Sequence, residues 1–191
     1  MVKEFQLRQG PFLLAPYIPR GGVYSPEVLV GLYARLKEEG LWDTVFHDNP
    51  DMNLLDFMEF FSMPSVMLQF VNILDGETVS DIGAIAWLSG VEQYGPRQRA
   101  VANFCVFKSY QRPVLTDPMA RLIFGYWFEC LGIDVIVGMT PAANAPAVNF
   151  IKRVGFVEAC RIPNYSFYKG STTDCVISFM DTKSYSELYG G

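Results

Sequence analysis

The spacing of apolar residues predicts one strand and two helices in the first third of the chain. Residues 5–18 favour a strand, because apolar side chains dominate them, although Pro11 interrupts the run. A helix should begin at Ser25, a residue type favoured at N-caps, and end at Gly40. A second helix is predicted from Met52 to Phe61. The apolar stripe of the first helix consists of Leu29, Leu32, Tyr33 and Leu36.

The middle of the chain has the composition and spacing of strands. Val66–Leu74 and Thr78–Leu88 flank an Asp-Gly turn and predict a hairpin. Gly90–Gln98 is a polar stretch that we interpret as a connection, and Ala100–Phe107 is a third strand. Together these segments favour an antiparallel meander.

After the meander the pattern changes to strand, helix and strand. A helix is predicted to begin at Asp117-Pro118 and to end near Gly132, and Ile133–Met139 is an apolar strand. This order implies a parallel strand pair joined by a right-handed crossover. Val157–Ile162 and Asp174–Phe179 then return to antiparallel strands, and the last ten residues should fray.

The composition fits one globular domain. No repeat or linker divides the 191 residues, of which 50% are hydrophobic, so residues 1–191 are predicted to form a single domain. Aromatic residues make up 15% and charged residues 18%, which indicates apolar surface patches. Such patches serve a ligand cleft or a subunit interface, so a homodimer is one expectation.

Charge and cysteine content narrow the class of partner. The net charge of −5 argues against a general nucleic-acid or anionic-membrane binder. The sequence shows no export signal and no run of 18 apolar residues, so we expect a cytoplasmic protein. The four cysteines are scattered without nearby histidines, which predicts buried thiols and no metal site. His47, the only histidine, is interpreted as a loop residue.

The most informative segment is Asn144–Phe156, which follows the strand that ends at Met139. Pro146 suits a first helical turn, where its missing N–H needs no partner. Gly155 can adopt the left-handed conformation that closes a helix. The residues therefore predict a short, capped amphipathic helix. Its apolar face is formed by Ala147, Phe150, Ile151 and Val154.

Beyond a capped helix, this segment resembles the acyl-CoA-binding region of the GNAT (Gcn5-related N-acetyltransferase) superfamily. In that family an Asn follows a strand, a small residue comes one helical turn later, and Gly-Phe closes the helix. Asn144, Ala147, Gly155 and Phe156 fit this spacing. The resemblance implies an α/β (α+β) fold with a mixed, mostly antiparallel central sheet, one splayed parallel strand pair, and helices on both faces.

The resemblance also implies a site for acetyl-CoA as cosubstrate, and no metal. In the family the pantetheine arm adds along the gap between the splayed strands, and the pyrophosphate lies at the start of the next helix. The acceptor would be an amine of a small molecule or a peptide. The residues expected to bind the cosubstrate are Cys105, Val106, Phe107, Gln111, Arg112, Val114, Leu115, Thr116 and Asn144.

The cosubstrate loop and the proton donors depart from the family pattern. The family loop has the form Q/R-x-x-G-x-G/A, and this chain has Val114 and Thr116 in place of the glycines. Asp117 follows, and its carboxylate would compete with a phosphate for helix N–H groups. The tyrosine that usually acts as general acid in the family would fall at Ile151. The serine found in relatives that acetylate ribosomal proteins would fall at Ala147. The catalytic acid and base are therefore unknown.

Two functions are open at this point. The first is acetyl transfer to an amine, by proximity, with a backbone N–H near Val106 or Phe107 polarising the oxyanion. The second is a non-catalytic interaction or assembly protein that retains the GNAT framework; this chain resembles small GNAT-like proteins with degraded cofactor loops, including some from tailed phages. The intact Asn144–Phe156 segment favours the enzyme. The departures from the family pattern favour the second function; they are Val114, Thr116, Ala147 and Ile151.

Overall fold

One mixed sheet of eight strands runs through the computed structural model, which describes residues 7–19 and 22–190. The order across the sheet is first to sixth strand, then eighth, then seventh. The fifth and sixth strands are parallel and the other six neighbouring pairs are antiparallel, as the sequence predicts. In chain order the strands are β1 (Arg8–Gln9), β2 (Phe12–Pro16), β3 (Val66–Asp75), β4 (Thr78–Tyr94), β5 (Arg97–Val106), β6 (Val135–Pro141), β7 (Val157–Tyr168) and β8 (Ser171–Asp181).

Helices cover both faces of the sheet, which confirms the predicted layering. One face carries α1 (Glu27–Glu38), α2 (Trp42–Val45) and α3 (Leu54–Ser62). The other face carries α4 (Pro113–Gly125), α5 (Ala145–Arg153) and α6 (Thr182–Tyr189). A 3-10 turn at Lys108–Tyr110 leads into α4, and a π-helical turn at Tyr126–Cys130 extends it. Among the described helices, none has the length and apolarity needed to cross a bilayer.

Each face of the sheet has its own hydrophobic core. Successive strand residues point to opposite faces, so Phe70 and Ile85 pack under α1–α3 whereas Val71 and Ala86 pack under α4. The core under α1–α3 is aromatic: the Phe46 ring stacks on Trp87 with 5.6 Å between centroids, and other rings meet it edge-on.

The hairpin of β3 and β4 is confirmed, and the strands around it are longer than predicted. Asp75 pairs with Thr78, and Gly76 has a φ of 61°, so the Asp-Gly turn lies where expected. β4 continues to Tyr94 and β5 begins at Arg97, so the predicted polar connection is the tip of a second hairpin. The side chains of this tip are exposed on both faces, and the segment therefore lacks the hydrophobic alternation that marks a strand.

Two predictions about proline-containing segments are wrong. The strand predicted over 5–18 is the hairpin of β1 and β2, because Gly10 (φ 58°) and Pro11 turn the chain; residues 5 and 6 lie outside the described part. The helix predicted to begin at Asp117-Pro118 begins at Pro113, so Pro118 lies inside α4.

The C-terminal predictions also need correction. β7 runs through the predicted turn at Pro163-Asn164, where Asn164 has a φ of 53° and the register against β8 shifts. The chain turns instead between Tyr168 and Ser171. The tail forms α6 rather than fraying, and the Asp181 carboxylate caps it by accepting the Ser184 N–H at 2.8 Å. Gly191 lies outside the described residues.

The cysteines divide into two groups. Cys105 and Cys175 are buried as predicted, but Cys130 and Cys160 are exposed, so the expectation of four buried thiols is wrong for two of them. Across residues 7–19 and 22–190, no cluster of three His, Cys, Asp or Glu side chains could hold a metal ion.

The aromatic core gives a matched test of packing on α3. Phe57 is 0% exposed and Leu55 is 76% exposed on the same helix. We expect Phe57→Ala to lower the free energy of unfolding by about 3–5 kcal/mol, because the cavity cannot collapse fully. Leu55→Ala should change it by less than about 0.5 kcal/mol. Urea denaturation measures both, and similar losses for the two variants would contradict the packing.

Candidate functional site

The parallel strands β5 and β6 separate after a short stretch of pairing. They pair at Arg99–Val135, Ala100–Ile136 and Val101–Val137, and the pairing ends there. This confirms the predicted parallel pair and its divergence at the C-terminal ends. A cleft of about 700 Å³ lies where the strands diverge, and residues from both faces of the sheet line it.

The inner edge of β5 presents backbone groups to this cleft. The Phe107 N–H donates to Gly83 O at 3.0 Å, so Phe107 and Cys105 direct their backbone groups toward β4. Directions alternate along a strand, and Phe104 and Val106 therefore direct theirs toward the gap. The Val106 carbonyl accepts the Gln111 side-chain amide at 2.8 Å. Because the Phe107 N–H is already bonded, Val106 is the one of the two expected oxyanion donors that faces the cleft.

Five of the nine expected cosubstrate residues line the cleft, namely Cys105, Val106, Gln111, Thr116 and Asn144. The other four do not: Phe107 lies in the core, Leu115 packs against the other core, Val114 is exposed, and Arg112 precedes α4. Burial raises the pKa of the Cys105 thiol to about 12, so it stays protonated at neutral pH.

The first turn of α4 offers few free N–H groups. Arg112 is the N-cap residue, and its carbonyl accepts the N–H groups of both Leu115 and Thr116 at 2.8 Å. Pro113 has no N–H. The Val114 N–H is therefore left for an anion, together with the positive end of the helix dipole. The segment 111–116, expected to be a loop, is for the most part helix.

Two contacts join α4 and β5 to α5 across the cleft. The Arg153 guanidinium lies 3.0 Å from the Asp117 carboxylate and 3.1 Å from the Thr116 hydroxyl. The Phe104 and Phe150 rings stack with 5.1 Å between centroids and 12° between planes. We call these two contacts the cleft bridge. Four of the residues that form it, Phe104, Thr116, Phe150 and Arg153, line the cleft.

Three basic residues flank the start of α4 in sequence, and they behave differently. Lys108 lines the cleft, and Arg112 is the N-cap residue. Neither side chain has an ion-pair partner within the described ranges. Arg121 instead donates to the Tyr189 carbonyl at 3.2 Å, toward α6. Lys108 and Arg112 are thus the cations available to an anionic ligand.

An ionic network holds the turn between β5 and α4 in place. Arg35 on α1 binds both oxygens of Asp81, at 2.8 and 3.2 Å, and lies 2.8 Å from Glu39. Asp81 also accepts the Tyr110 hydroxyl at 2.9 Å, and Glu39 accepts the Lys108 N–H at 2.7 Å. We call these five residues the turn anchor. Partial burial raises the pKa of Asp81, but hydrogen bonds from Arg35, Tyr110 and a backbone N–H outweigh it, so this pKa lies below its ordinary value.

On the opposite wall, Asn144 combines two positions. It is the N-cap of α5, where its side-chain oxygen accepts the Ala147 N–H at 3.4 Å, and it lines the cleft at 5% exposure. No described residue bonds its side-chain nitrogen. Ala147 and Ile151 also line the cleft. The positions where the family has proton donors therefore face the site but carry alkyl side chains.

Several polar residues outside the predicted set also lie at the cleft. Thr140, Tyr168 and His47 all line it. The Nδ1 atom of His47 lies 2.7 Å from the Asp48 carboxylate, and 11% of the side chain is exposed. His47 also lines a smaller cavity of about 320 Å³ beside the turn that joins β7 to β8. Its loop position hides this role, because the contacts come from segments distant in sequence.

Known structures share this architecture. The spermidine N-acetyltransferase of Vibrio cholerae, solved with CoA and spermine, matches with a TM-score of 0.74 at 15% identity, over 93% of this chain and 99% of its own. The ribosomal-protein-S5-alanine acetyltransferase of Vibrio fischeri matches with a TM-score of 0.65 at 10% identity, over 92% and 95%. The chain has the GNAT fold. A probable acetyltransferase with the same fold matches at 0.66 and 13% identity, over 92% and 95%.

Comparison of sequences alone does not detect the GNAT fold of this chain. No protein-family model matches it, and no curated protein matches it. The features of this chain that identify the GNAT fold are the splayed strand pair β5–β6 and the capped helix α5.

The turn anchor gives a prediction with a defined pH dependence. We expect Asp81→Asn to lower the free energy of unfolding by about 1–2 kcal/mol at pH 7, a value reduced for its partial exposure. The pKa of Asp81 is lowered in the folded state, so its contribution is complete above the unfolded value of about 3.9. It is lost as the pH falls through the folded value.

Wild type and Asp81→Asn should therefore differ most at neutral pH and converge in acid. Asp75→Asn is the matched control, because Asp75 is exposed at a turn and has no ion-pair partner among the described residues. Thermal denaturation across this pH range measures the difference. A gap that stays constant down to pH 2 would contradict the anchor.

Proposed function

We propose that the chain is an acyl-CoA-dependent N-acyltransferase, which transfers an acetyl group from acetyl-CoA to an amine. The observation that supports this most is the cleft between β5 and β6, together with the backbone groups of Phe104 and Val106 that face it. A pantetheine arm carries amide groups that can pair with such an edge as an added strand does.

The hydrogen-bond donors at the cleft suit the pantetheine arm of the cosubstrate better than they suit its pyrophosphate. The pantetheine arm would bind along Phe104 and Val106, and the pyrophosphate would lie near the Val114 N–H with Lys108 and Arg112 close by. The helix dipole adds to this attraction. Because a single N–H stands where a glycine-rich loop offers several, we expect the pyrophosphate to contribute less than the pantetheine arm to the affinity.

Direct transfer within a ternary complex is the mechanism that we favour. The Cys105 thiol is protonated at neutral pH because its pKa is raised to about 12 by burial, and a thiol is a poor nucleophile. The amine nitrogen would attack the thioester carbonyl, and the Val106 N–H would stabilise the oxyanion. Holding both reactants in one cleft supplies much of the rate.

The acceptor is an amine of a small molecule or a peptide. The names of the similar proteins identify spermidine or spermine for one and the alanine of a ribosomal protein for another. In this chain the charged side chains among the described cleft residues are Lys108, Arg153 and Lys169, and none is a carboxylate. A polycation gains nothing from such a lining, so we expect an acceptor with one amine, such as a peptide N-terminus, to be preferred. A homodimer and a cytoplasmic location stay predictions.

A second function is favoured by the cleft bridge. Arg153 binds Asp117 and Phe150 stacks on Phe104, so cleft-lining side chains are already engaged with other protein groups. The alkyl side chains of Ala147 and Ile151, which line the cleft and cannot donate a proton, also favour this second function. On this reading the GNAT fold serves as an interaction or assembly module without transfer.

Binding and transfer assays separate the two functions. We expect calorimetry to detect CoA binding, and mass spectrometry to detect acetylation of an alanine-initiated peptide in preference to spermidine. The control is the acetylation of the peptide and of spermidine by acetyl-CoA without enzyme. Absence of both binding and transfer would contradict the proposal and favour the interaction module.

Asn144→Ala tests whether this side chain serves the ligand or the helix. As an N-cap alone, its loss should cost about 0.5–2 kcal/mol of stability and leave CoA affinity unchanged. We expect a larger effect on CoA, about fivefold or more in Kd, because the capping bond is long at 3.4 Å and the side chain lines the cleft. Asn53→Ala is the matched control, since Asn53 caps α3 with two bonds away from the cleft. A loss of stability with intact CoA affinity would assign Asn144 to capping only.

A further inference from the structure

The cleft contains one side chain that can accept a proton at neutral pH. Its titratable lining residues within the described part of the chain are His47, Cys105, Lys108, Arg153, Tyr168 and Lys169. Lysine, arginine and tyrosine side chains are protonated at this pH at their ordinary pKa values, so they do not serve as bases. The Cys105 thiol is buried and protonated. The histidine is left by elimination.

The setting of His47 suits a general base. Its Nδ1 atom lies 2.7 Å from the Asp48 carboxylate, which can only accept, so Nδ1 carries the ring proton. The lone pair then resides on Nε2, and no described residue bonds that atom. A carboxylate on one nitrogen fixes the tautomer and the ring orientation, which is how histidine bases are positioned in general.

The position of His47 also places it between two spaces. It lines both the large cleft and the smaller cavity of about 320 Å³, whose other lining residues include Asp43, Phe167 and Lys169. Asp43 and Phe167 can bind an ammonium group and its apolar stem. The imidazole therefore borders both the cavity that suits an acceptor amine and the cleft.

We propose that His47 is the general base of the transfer and that Asp48 is its positioning residue; this rests on the proposed function. The acceptor ammonium gives one proton to Nε2, and the free amine attacks the thioester carbonyl to form the N–C bond. The C–S bond then breaks, and the second proton from nitrogen goes to the CoA sulfur. The products are an amide and CoA thiol, and His47 returns its proton to solvent.

Charged and titratable groups from several elements surround His47. Asp43 and Asp48 lie on α2 and its exit, Lys169 and Tyr168 come from the β7–β8 turn, and Lys108 follows β5. A general base must be unprotonated to accept a proton, so the rate should rise with pH as one group deprotonates.

The tautomer can be tested without any acceptor. His47 is the only histidine, so ¹H–¹⁵N spectra of untagged protein contain one pair of ring nitrogens. Above the imidazole transition we expect the proton on Nδ1, and Asp48→Asn should weaken this preference. Asp51→Asn, an exposed carboxylate three positions away, should leave it unchanged. A proton on Nε2 in wild type would overturn the proposal.

Kinetics with acetyl-CoA and an alanine-initiated peptide test the base itself. We expect His47→Gln to lower kcat by about 10²–10⁴-fold, with CoA affinity and melting temperature nearly unchanged, and to lose the pH-dependent limb. Added imidazole should partly restore His47→Ala. If wild type transfers the acetyl group and His47→Gln is equally active, the role of His47 as general base is overturned and the proposed function is not. A wild type that transfers to no amine would overturn the proposed function and the base with it.

Discussion

The parallel strands β5 and β6 pair over only three residues each, and the cleft and the contacts around it follow from this short pairing. Buried backbone groups must be bonded, and beyond Val101 and Val137 the two strands no longer satisfy each other. The divergence is stable only where something else meets those groups. The Gln111 side chain bonds the Val106 carbonyl, and the cleft gives the remaining groups access to water or a ligand. A binding edge is therefore a consequence of the strand geometry.

The right-handed crossover then places α4 beside that edge, and two sets of contacts determine how wide the gap can be. The turn anchor fixes the chain between β5 and α4 through Arg35 and Asp81. On the other wall, α5 follows β6 directly and begins at Asn144. The cleft bridge links the two walls through an exposed ion pair and one ring stack, and contacts of this kind are individually weak. The contacts that hold each wall in place are therefore more extensive than those that join the two walls.

Local signals in the sequence were sufficient where a few neighbouring residues decide the structure. The Asp75-Gly76 turn and the α5 helix up to Gly155 were predicted because their caps and glycines act within a few positions. Pro118 misled the prediction of α4. Its missing N–H removes the bond to the Val114 carbonyl, but Val114 is 75% exposed, so water can satisfy that carbonyl and the helix passes through the proline.

The missed parts of the candidate site share a different cause. Asn164 adopts a left-handed φ within β7, so a residue pair typical of turns becomes a bulge, and the strand continues to Tyr168 at the cleft. The turn after it lies beside His47, more than a hundred residues away in sequence. No local pattern encodes such a meeting. Five of the residues expected to bind a cosubstrate do line the cleft, and they were predicted because they follow a family motif, whereas the histidine follows none.

The reaction is affected less by the lack of a general acid at position 151 than it would be by the lack of a general base. The group that leaves is a thiolate, and a thiol has an ordinary pKa of about 8.5, so it can depart near neutral pH without a donor. An alkyl ammonium has a pKa of about 10.4 and is almost wholly protonated at neutral pH. It cannot attack until a proton is removed. A GNAT fold that has lost its tyrosine acid can thus keep its chemistry if one imidazole in the cleft accepts that proton.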